Sequence, residues 1–245
     1  MTAPFGTAEI VAAVAGARRV LDAGCGSGRL TVALAQAGAD VTGVDTNASQ
    51  LEVAHGRAAE EGVRLTLLEA DFNGGLPLAD GSFDAVVSRL ALMAADDPVA
   101  TLRELHRTLE PGGRLVTVLW ATPEENPWFG EPRAAIAAVL GPERGAFARA
   151  FGTLGDPESA AAAHRAAGLV EVEAVRLRER RTAPDAATYW QELAEENGHF
   201  RRVTASLDDE GRAALATEVE ARLAPYRDGD HLSLPRTMVL VTARR

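Results

Sequence analysis

The chain predicts an α/β fold, a parallel sheet covered by helices on both sides. Three observations carry that prediction. Short apolar runs alternate with amphipathic helical patterns through the N-terminal half. The first run, Val20-Leu21-Asp22-Ala23, meets three glycines at alternate positions, Gly24, Gly26 and Gly28, and then a helix start at Arg29-Leu30. The second, Val41-Thr42-Gly43-Val44-Asp45, ends on a carboxylate, as a strand of an open nucleotide-binding sheet does.

The glycine turn is required by geometry. A tight strand-to-helix turn uses φ values that residues with a Cβ avoid, and bare backbone lets a ligand approach closely. The dinucleotide spacing G-x-G-x-x-G would need glycine at position 29, where Arg29 stands, so the nicotinamide reading is disfavoured. Leu65 to Phe72 reads as a third strand and Ser82 to Arg89 as a fourth. Leu109-Glu110-Pro111-Gly112-Gly113-Arg114-Leu115 reads as the helix-to-strand turn before a fifth. Asn47, with Gln50 three residues on, predicts a capping box. Asp97-Pro98 starts another helix, with Val99, Leu102, Leu105 and Leu109 facing inward until Pro111-Gly112-Gly113, and Asp156-Pro157 and Gly168 bracket a third.

Asp22-x-Gly24-x-Gly26-x-Gly28, with the carboxylate-ended second strand and the following segments in order, resembles motif I and its successors in the class I S-adenosylmethionine-dependent methyltransferases, in the branch similar to ubiquinone and menaquinone biosynthesis enzymes. The likeness covers residues 18 to 120 in detail and fades after Trp120. It implies a Rossmann-like seven-stranded methyltransferase sheet with helices on both faces and a helical cap. It also implies S-adenosylmethionine as cofactor, leaving S-adenosylhomocysteine as product. Backbone at Gly24, Cys25 and Gly26 is assigned to the methionine portion, Asp45 to the ribose, and Asp71 and Phe72 to adenine, with Thr46 and Gln50 as further cofactor-binding candidates. Ser88 ends the fourth strand, where the family contacts the methionine amino group. Asp22 either reaches the ligand through water or braces the glycine turn.

A chain of 245 residues can bury a full core, and its elements run continuously, so a single domain over 1–245 is expected, with cap insertions at 121–155 and 182–228. Within the second, helical patterns surround Tyr189-Trp190 and run from Asp208 to Leu223, with Ser206 and Asp209 as a capping box. No segment reaches membrane-spanning length. No basic region precedes the small apolar residues 10 to 17, and a cytoplasmic protein is expected. The net charge is −10 and all 25 basic residues are arginine. That balance disfavours nucleic acid as partner, and Arg176, Arg178 and Arg180 read as one solvated face near a sheet edge. The one cysteine, Cys25, excludes an internal disulfide framework and a multi-cysteine zinc site, and reads as a small hydrophobe beneath the cofactor. No metal is expected.

Methyl transfer from a sulfonium is an in-line substitution that asks the protein chiefly to hold and align the acceptor. A base is needed only where the acceptor must lose a proton, and no general base stands out. Many relatives place His or Asn just after the fourth strand; here the segment is Ser88-Arg89-Leu90-Ala91-Leu92-Met93-Ala94-Ala95. Arg89 either holds a carboxylate of substrate or cofactor or pairs with Asp96 or Asp97. The remaining catalytic candidates are His199, His231 and Tyr189. His55, His106 and His164 read as residues of surface helices, and His199 as one of a helix end, after the stop signal Gly198. Arg89, Met93, Trp128 and Tyr189 are the candidates for the acceptor pocket. The expected function is methylation of a small molecule at O, N or C, in the manner of secondary metabolism. The alternative is a methyltransferase-like cyclase or isomerase that binds the cofactor without transferring methyl.

Overall fold

Val20, Leu21 and Ala23 are wholly buried, and with Arg19 and Asp22 they form the first strand, β1 (Arg19–Ala23), of a computed structural model that describes residues 4–145 and 154–245. The other strands in chain order are β2 (Asp40–Asp45), β3 (Thr66–Glu69), β4 (Phe83–Arg89), β5 (Leu109–Trp120), β6 (Val170–Ala183), β7 (Arg227–Asp228) and β8 (His231–Arg244). The helices are α1 (Thr7–Ala13), α2 (Arg29–Gln36), α3 (Ala48–Glu60), α4 (Pro98–Thr108), α5 (Pro127–Leu140), α6 (Pro142–Gly145), α7 (Pro157–Ala166), α8 (Ala186–Glu196), α9 (Gly198–Ala205) and α10 (Asp209–Leu223). Two compact units result. The first comprises Met1–Ala121, Arg149–Leu177 and Met238–Arg245, the second Thr122–Ala148 and Arg178–Thr237. Residues 146–153 of the first expected insertion lie outside the described residues.

The sheet order is β3-β2-β1-β4-β5-β8-β6, parallel from β3 to β5, with β8 antiparallel to β5. The seven strands expected are thus present, and the short β7 pairs with β8 off that path. β1 is flanked by β2 and β4, so the chain winds outward from it in both directions. In open α/β sheets the crevice at this reversal, outside the carboxyl ends of the strands, is where ligands bind.

Alternation along the strands feeds two apolar layers in the first unit. Leu21, Val44, Val86, Leu115 and Leu119 join Leu102 and Leu105 of α4 on one face. Val20, Val41, Val87, Val116 and Val118 join Ile10 of α1 and Leu30 and Leu34 of α2 on the other. Each such side chain, fully buried, contributes about 1.5–3 kcal/mol. β6 ends the strand order, so Arg176, Arg178 and Arg180 do belong to an edge strand.

Several local expectations are corrected. Asn47 caps α3 through the Ser49 and Gln50 N–H groups, but its own N–H donates to Asp45, not to Gln50. α4 ends at Thr108, and Pro111-Gly112-Gly113 lies within β5, where it shifts the register against β4 between Phe83 and Ala85. Asp208, not Ser206, caps α10, accepting from the Gly211 N–H at 2.9 Å; the Ser206 hydroxyl instead donates to Val203 at the end of α9. A helix does stop at this point, since α8 ends at Glu196, but Gly198 also begins α9, because Asn197 accepts from the His199 N–H and caps it. His164 is wholly buried, between Thr117 of β5 (3.0 Å) and the Ala160 carbonyl (2.8 Å), and burial pushes its imidazole down to about 4. No helix of the described residues is long and apolar enough to cross a membrane.

Candidate functional site

The glycine turn leaves β1 and is tied at once to β2. The N–H groups of Gly24 and Cys25 both donate to the Val44 carbonyl, at 2.8 and 2.9 Å. The Gly26 N–H donates to Asp45 Oδ2 at 2.8 Å, and the Gly28 N–H to the Cys25 carbonyl at 3.0 Å. These four amides are spent inside the protein, so what they leave to a ligand is carbonyl and carboxylate oxygen. That chemistry suits a cation and opposes a phosphate, whose cradle is built from N–H donors.

Asp45, at the end of β2, bridges the turn to α3, since its Oδ1 accepts from the Asn47 N–H at 2.9 Å. Each carboxylate oxygen has a further acceptor position for a ligand hydroxyl. Thr46 and Gln50 are exposed beside it, and Gln50 Oε1 comes within 3.9 Å of where a Cβ on Gly26 would stand. Asp71 is exposed, and its Oδ1 accepts from the Asn73 N–H and side-chain amide at 2.8 and 2.9 Å. Asn73 Oδ1 in turn accepts from the Asp96 N–H and the Thr101 hydroxyl. Asn73 was not singled out from sequence, although it follows Asp71-Phe72 directly. Phe72 is almost wholly buried in the core, its ring 3.5 Å from the Cβ position of Gly24.

Asp22 is 1 % exposed and accepts from the Thr31 hydroxyl at 2.7 Å, tying β1 to α2. Thr31 was legible as a polar residue on the buried face of that helix. Burial raises the Asp22 carboxyl to about 7, despite Thr31 and the Arg89 charge, which act the other way. The unfolded carboxyl titrates near 3.8, so stability is present in full below that pH and is lost as pH rises through about 7. Asp22→Asn keeps an acceptor for Thr31 and cannot ionise. Its gain over the parent is expected to reach on the order of 4 kcal/mol above neutrality. In thermal melts its midpoint should exceed the parent's near pH 8 and converge with it near pH 4; a gap independent of pH would refute the assignment.

Cys25 packs against β2, its Sγ 3.0 Å from the Cβ position of Gly43. Burial, with Asp22 and Asp45 nearby, pushes the thiol up to about 12, so it stays protonated and inert. Ser88 is buried and its hydroxyl donates to the Ala23 carbonyl at 2.9 Å, fastening β4 to β1 below the turn. Leu90 then takes φ 65°, a left-handed angle uncommon outside glycine and costly for a residue with a Cβ. It brings Ala91 against Gly24. The Arg89 guanidinium donates twice to the Phe5 carbonyl, at 2.9 and 3.1 Å, and Asp97 is the cap of α4. Met93 is half-buried, its sulfur accepting from the Trp120 N–H at 3.4 Å.

The remaining candidates belong to the second unit. Tyr189 is fully buried, its hydroxyl donates to the Trp128 carbonyl at 2.5 Å, and burial raises its pKa. Its hydroxyl is thus committed to the backbone inside the second unit. Trp128 is buried too, with its indole N–H on Asn126 and the Arg236 guanidinium 4.7 Å from its ring. His199 sits in the first turn of α9, not at a C-terminus, so the helix dipole disfavours its charge. Its pKa is lowered by burial, with Arg202 and Arg133 adding to the effect. His231 opens β8 beside Asp230, 3.3 Å away.

Asp22, the glycine turn, Asp45, Asp71 and the end of β4 therefore lie at the carboxyl ends of adjacent parallel strands, where open α/β sheets bind their ligands. The methyltransferase domain family matches residues 21–117. That match supports a class I S-adenosylmethionine-dependent methyltransferase domain over this stretch. The chain is 36% identical over 126 residues to a ubiquinone biosynthesis O-methyltransferase of Pseudomonas aeruginosa, covering 51% of each chain. It is 34% identical over 181 residues to an uncharacterized protein of Mycobacterium tuberculosis, covering 70% of this chain and 64% of the relative. The chain thus spans less than two thirds of either relative's length. The [4+2]-cyclase SpnF shares the fold, with a TM-score of 0.56 and 24% identity over 97% of this chain and 78% of that one.

Proposed function

We propose that this protein transfers the methyl group of S-adenosylmethionine to an O, N or C atom of a small-molecule acceptor. The observation that carries the reading is the inward commitment of the Gly24, Cys25, Gly26 and Gly28 amides, which leaves an acceptor-rich site beside the carboxyl groups of Asp45 and Asp71. The cofactor has the matching chemistry, a sulfonium and an ammonium, a ribose diol and an adenine amino group. Asp45 would accept from the diol, with Thr46 and Gln50 alongside. Asp71 would accept from the adenine amino group, with Phe72 beneath. Carbonyls of the glycine turn and of Ser88 would accept from the ammonium. The bound cofactor supplies an electrophilic methyl carbon. The chain's own tasks are to align the acceptor with it and to exclude water. Acceptor recognition is assigned in part to the second unit, which holds most of the two expected cap insertions, and a cytoplasmic setting fits this reading.

Calorimetric titration with S-adenosylmethionine, S-adenosylhomocysteine and NADH tests the site. The two sulfur nucleotides are expected to bind and NADH not. Asp45→Ala is expected to weaken S-adenosylhomocysteine by about ten- to a hundredfold, the loss of hydrogen bonds to a charged acceptor. Unchanged affinity would remove the ribose assignment.

A second reading, cyclisation or isomerisation on the same site without methyl transfer, is favoured by one feature. Leu90-Ala91-Leu92-Met93-Ala94-Ala95 offers no acid or base after β4. Product mass decides: a gain of one methyl group supports transfer, an unchanged mass the second reading.

A further inference from the structure

We propose that a cavity within the second unit binds an uncharged, planar ring compound of mainly hydrocarbon character. The cavity has a volume of 360 Å³ and is walled by α8, α9 and α10. That volume is in the range of small-molecule sites, roughly 300–1,000 Å³, and the groove opens to solvent past Ala187, Arg212, Ala216 and Glu220. The space exists because Ala186, Ala187 and Ala216 stand where larger side chains would fill it, and Leu215 and Val219 complete an apolar lining.

One wall is a fixed aromatic. The Trp190 indole N–H donates to the Thr204 hydroxyl at 3.0 Å, and that hydroxyl donates to the Phe200 carbonyl at 2.9 Å. The Trp190 ring also meets the Phe200 ring edge-on at 5.5 Å. Its polar edge is therefore satisfied within the protein, and what the indole can offer a ligand is π-surface, which suits a flat ring.

The charge of the lining selects against ions. Its two ionised residues, Arg212 and Glu220, each have a partner of opposite sign: Arg212 with Asp209 at 3.3 Å, Glu220 with Arg227 at 2.8 Å. With both charges already matched, a charged ligand would compete with one of these pairs, and a neutral one would not. This inference is independent of the donor site, which lies in the first unit.

The test is calorimetric titration of the full chain with 2-naphthol, 2-naphthoate and 2-naphthylmethylamine. Saturable binding of one 2-naphthol per chain is expected, with the two charged analogues weaker. Ala216→Phe, which fills the cavity, is expected to weaken 2-naphthol by about tenfold or more. Should that variant fail to fold, as judged by circular dichroism, Ala187→Leu carries the same expectation. Absence of saturable binding, unchanged affinity in a folded filled variant, preference for a charged analogue, or displacement by S-adenosylhomocysteine would each overturn the proposal.

Discussion

Gly24→Ala is expected to abolish S-adenosylhomocysteine binding, and the cause is packing more than ligand contact. A Cβ at position 24 would lie 2.1 Å from the Ala91 Cβ, where carbon atoms at their optimum are about 3.5–4.0 Å apart. No rotamer relieves it, since both atoms are fixed to the backbone. Gly24 also holds φ 77°, an angle that costs a residue with a Cβ about 1–2 kcal/mol. The contact joins the glycine turn to the segment after Ser88, so a variant that folds does so by moving one of the two. Either movement displaces the carbonyls assigned to the cofactor. Ala91→Gly removes the clash and leaves only the angular strain, so the double variant Gly24→Ala/Ala91→Gly should recover most of the affinity in calorimetric titration. Near-parent binding by Gly24→Ala alone would show the contact to be yielding. No recovery in the double variant would place the whole effect on the backbone angle.

The contact between Gly24 and Ala91 also marks the boundary of what the sequence made legible. The glycines, the strands and the carboxylates at their ends could be read because each follows from backbone geometry or from alternation within a few residues. That Ala91 touches Gly24 depends on Leu90 adopting a left-handed angle, which leucine does nothing to advertise. The same holds for side chains whose partners are backbone groups remote in sequence: the Tyr189 hydroxyl on the Trp128 carbonyl, the Arg89 guanidinium on the Phe5 carbonyl. His164 escaped because the helix around it, Pro157 to Ala166, buries alanines, which give no apolar stripe to contrast with an exposed face. The misread helix ends had two capable residues close together. Ser206 and Asp208 compete before α10, and Asn197-Gly198 reads as a stop when the glycine is weighed and as a start when the asparagine is.

Asn126 is the largest omission of that kind, and Asn126→Ala is expected to destabilise the second unit by about 3–5 kcal/mol, a size found when a buried polar network is broken. The side chain is wholly buried and uses its full capacity. Its amide nitrogen donates to the carbonyls of Thr122 and Thr237 at 3.1 and 3.0 Å, and its oxygen accepts from the Trp128 indole and the Thr237 N–H at 2.9 and 3.0 Å. Two carbonyls on one side and two N–H groups on the other permit only this orientation of the amide. The network binds the start of α5 to β8 across 111 residues of sequence. Alanine would strand the indole N–H of a buried tryptophan and a backbone N–H, each a loss of about 1–3 kcal/mol. Asn126→Asp separates lost bonds from lost volume. The introduced carboxyl keeps both acceptors but faces the Thr122 and Thr237 carbonyls, so ionisation is opposed and stability should fall as pH rises, whereas the alanine variant's deficit should hardly change with pH. Denaturant unfolding followed by tryptophan emission measures both. A deficit within about 0.5 kcal/mol for alanine, the range of an unremarkable surface change, would mean that water replaces all four bonds and that Asn126 organises nothing.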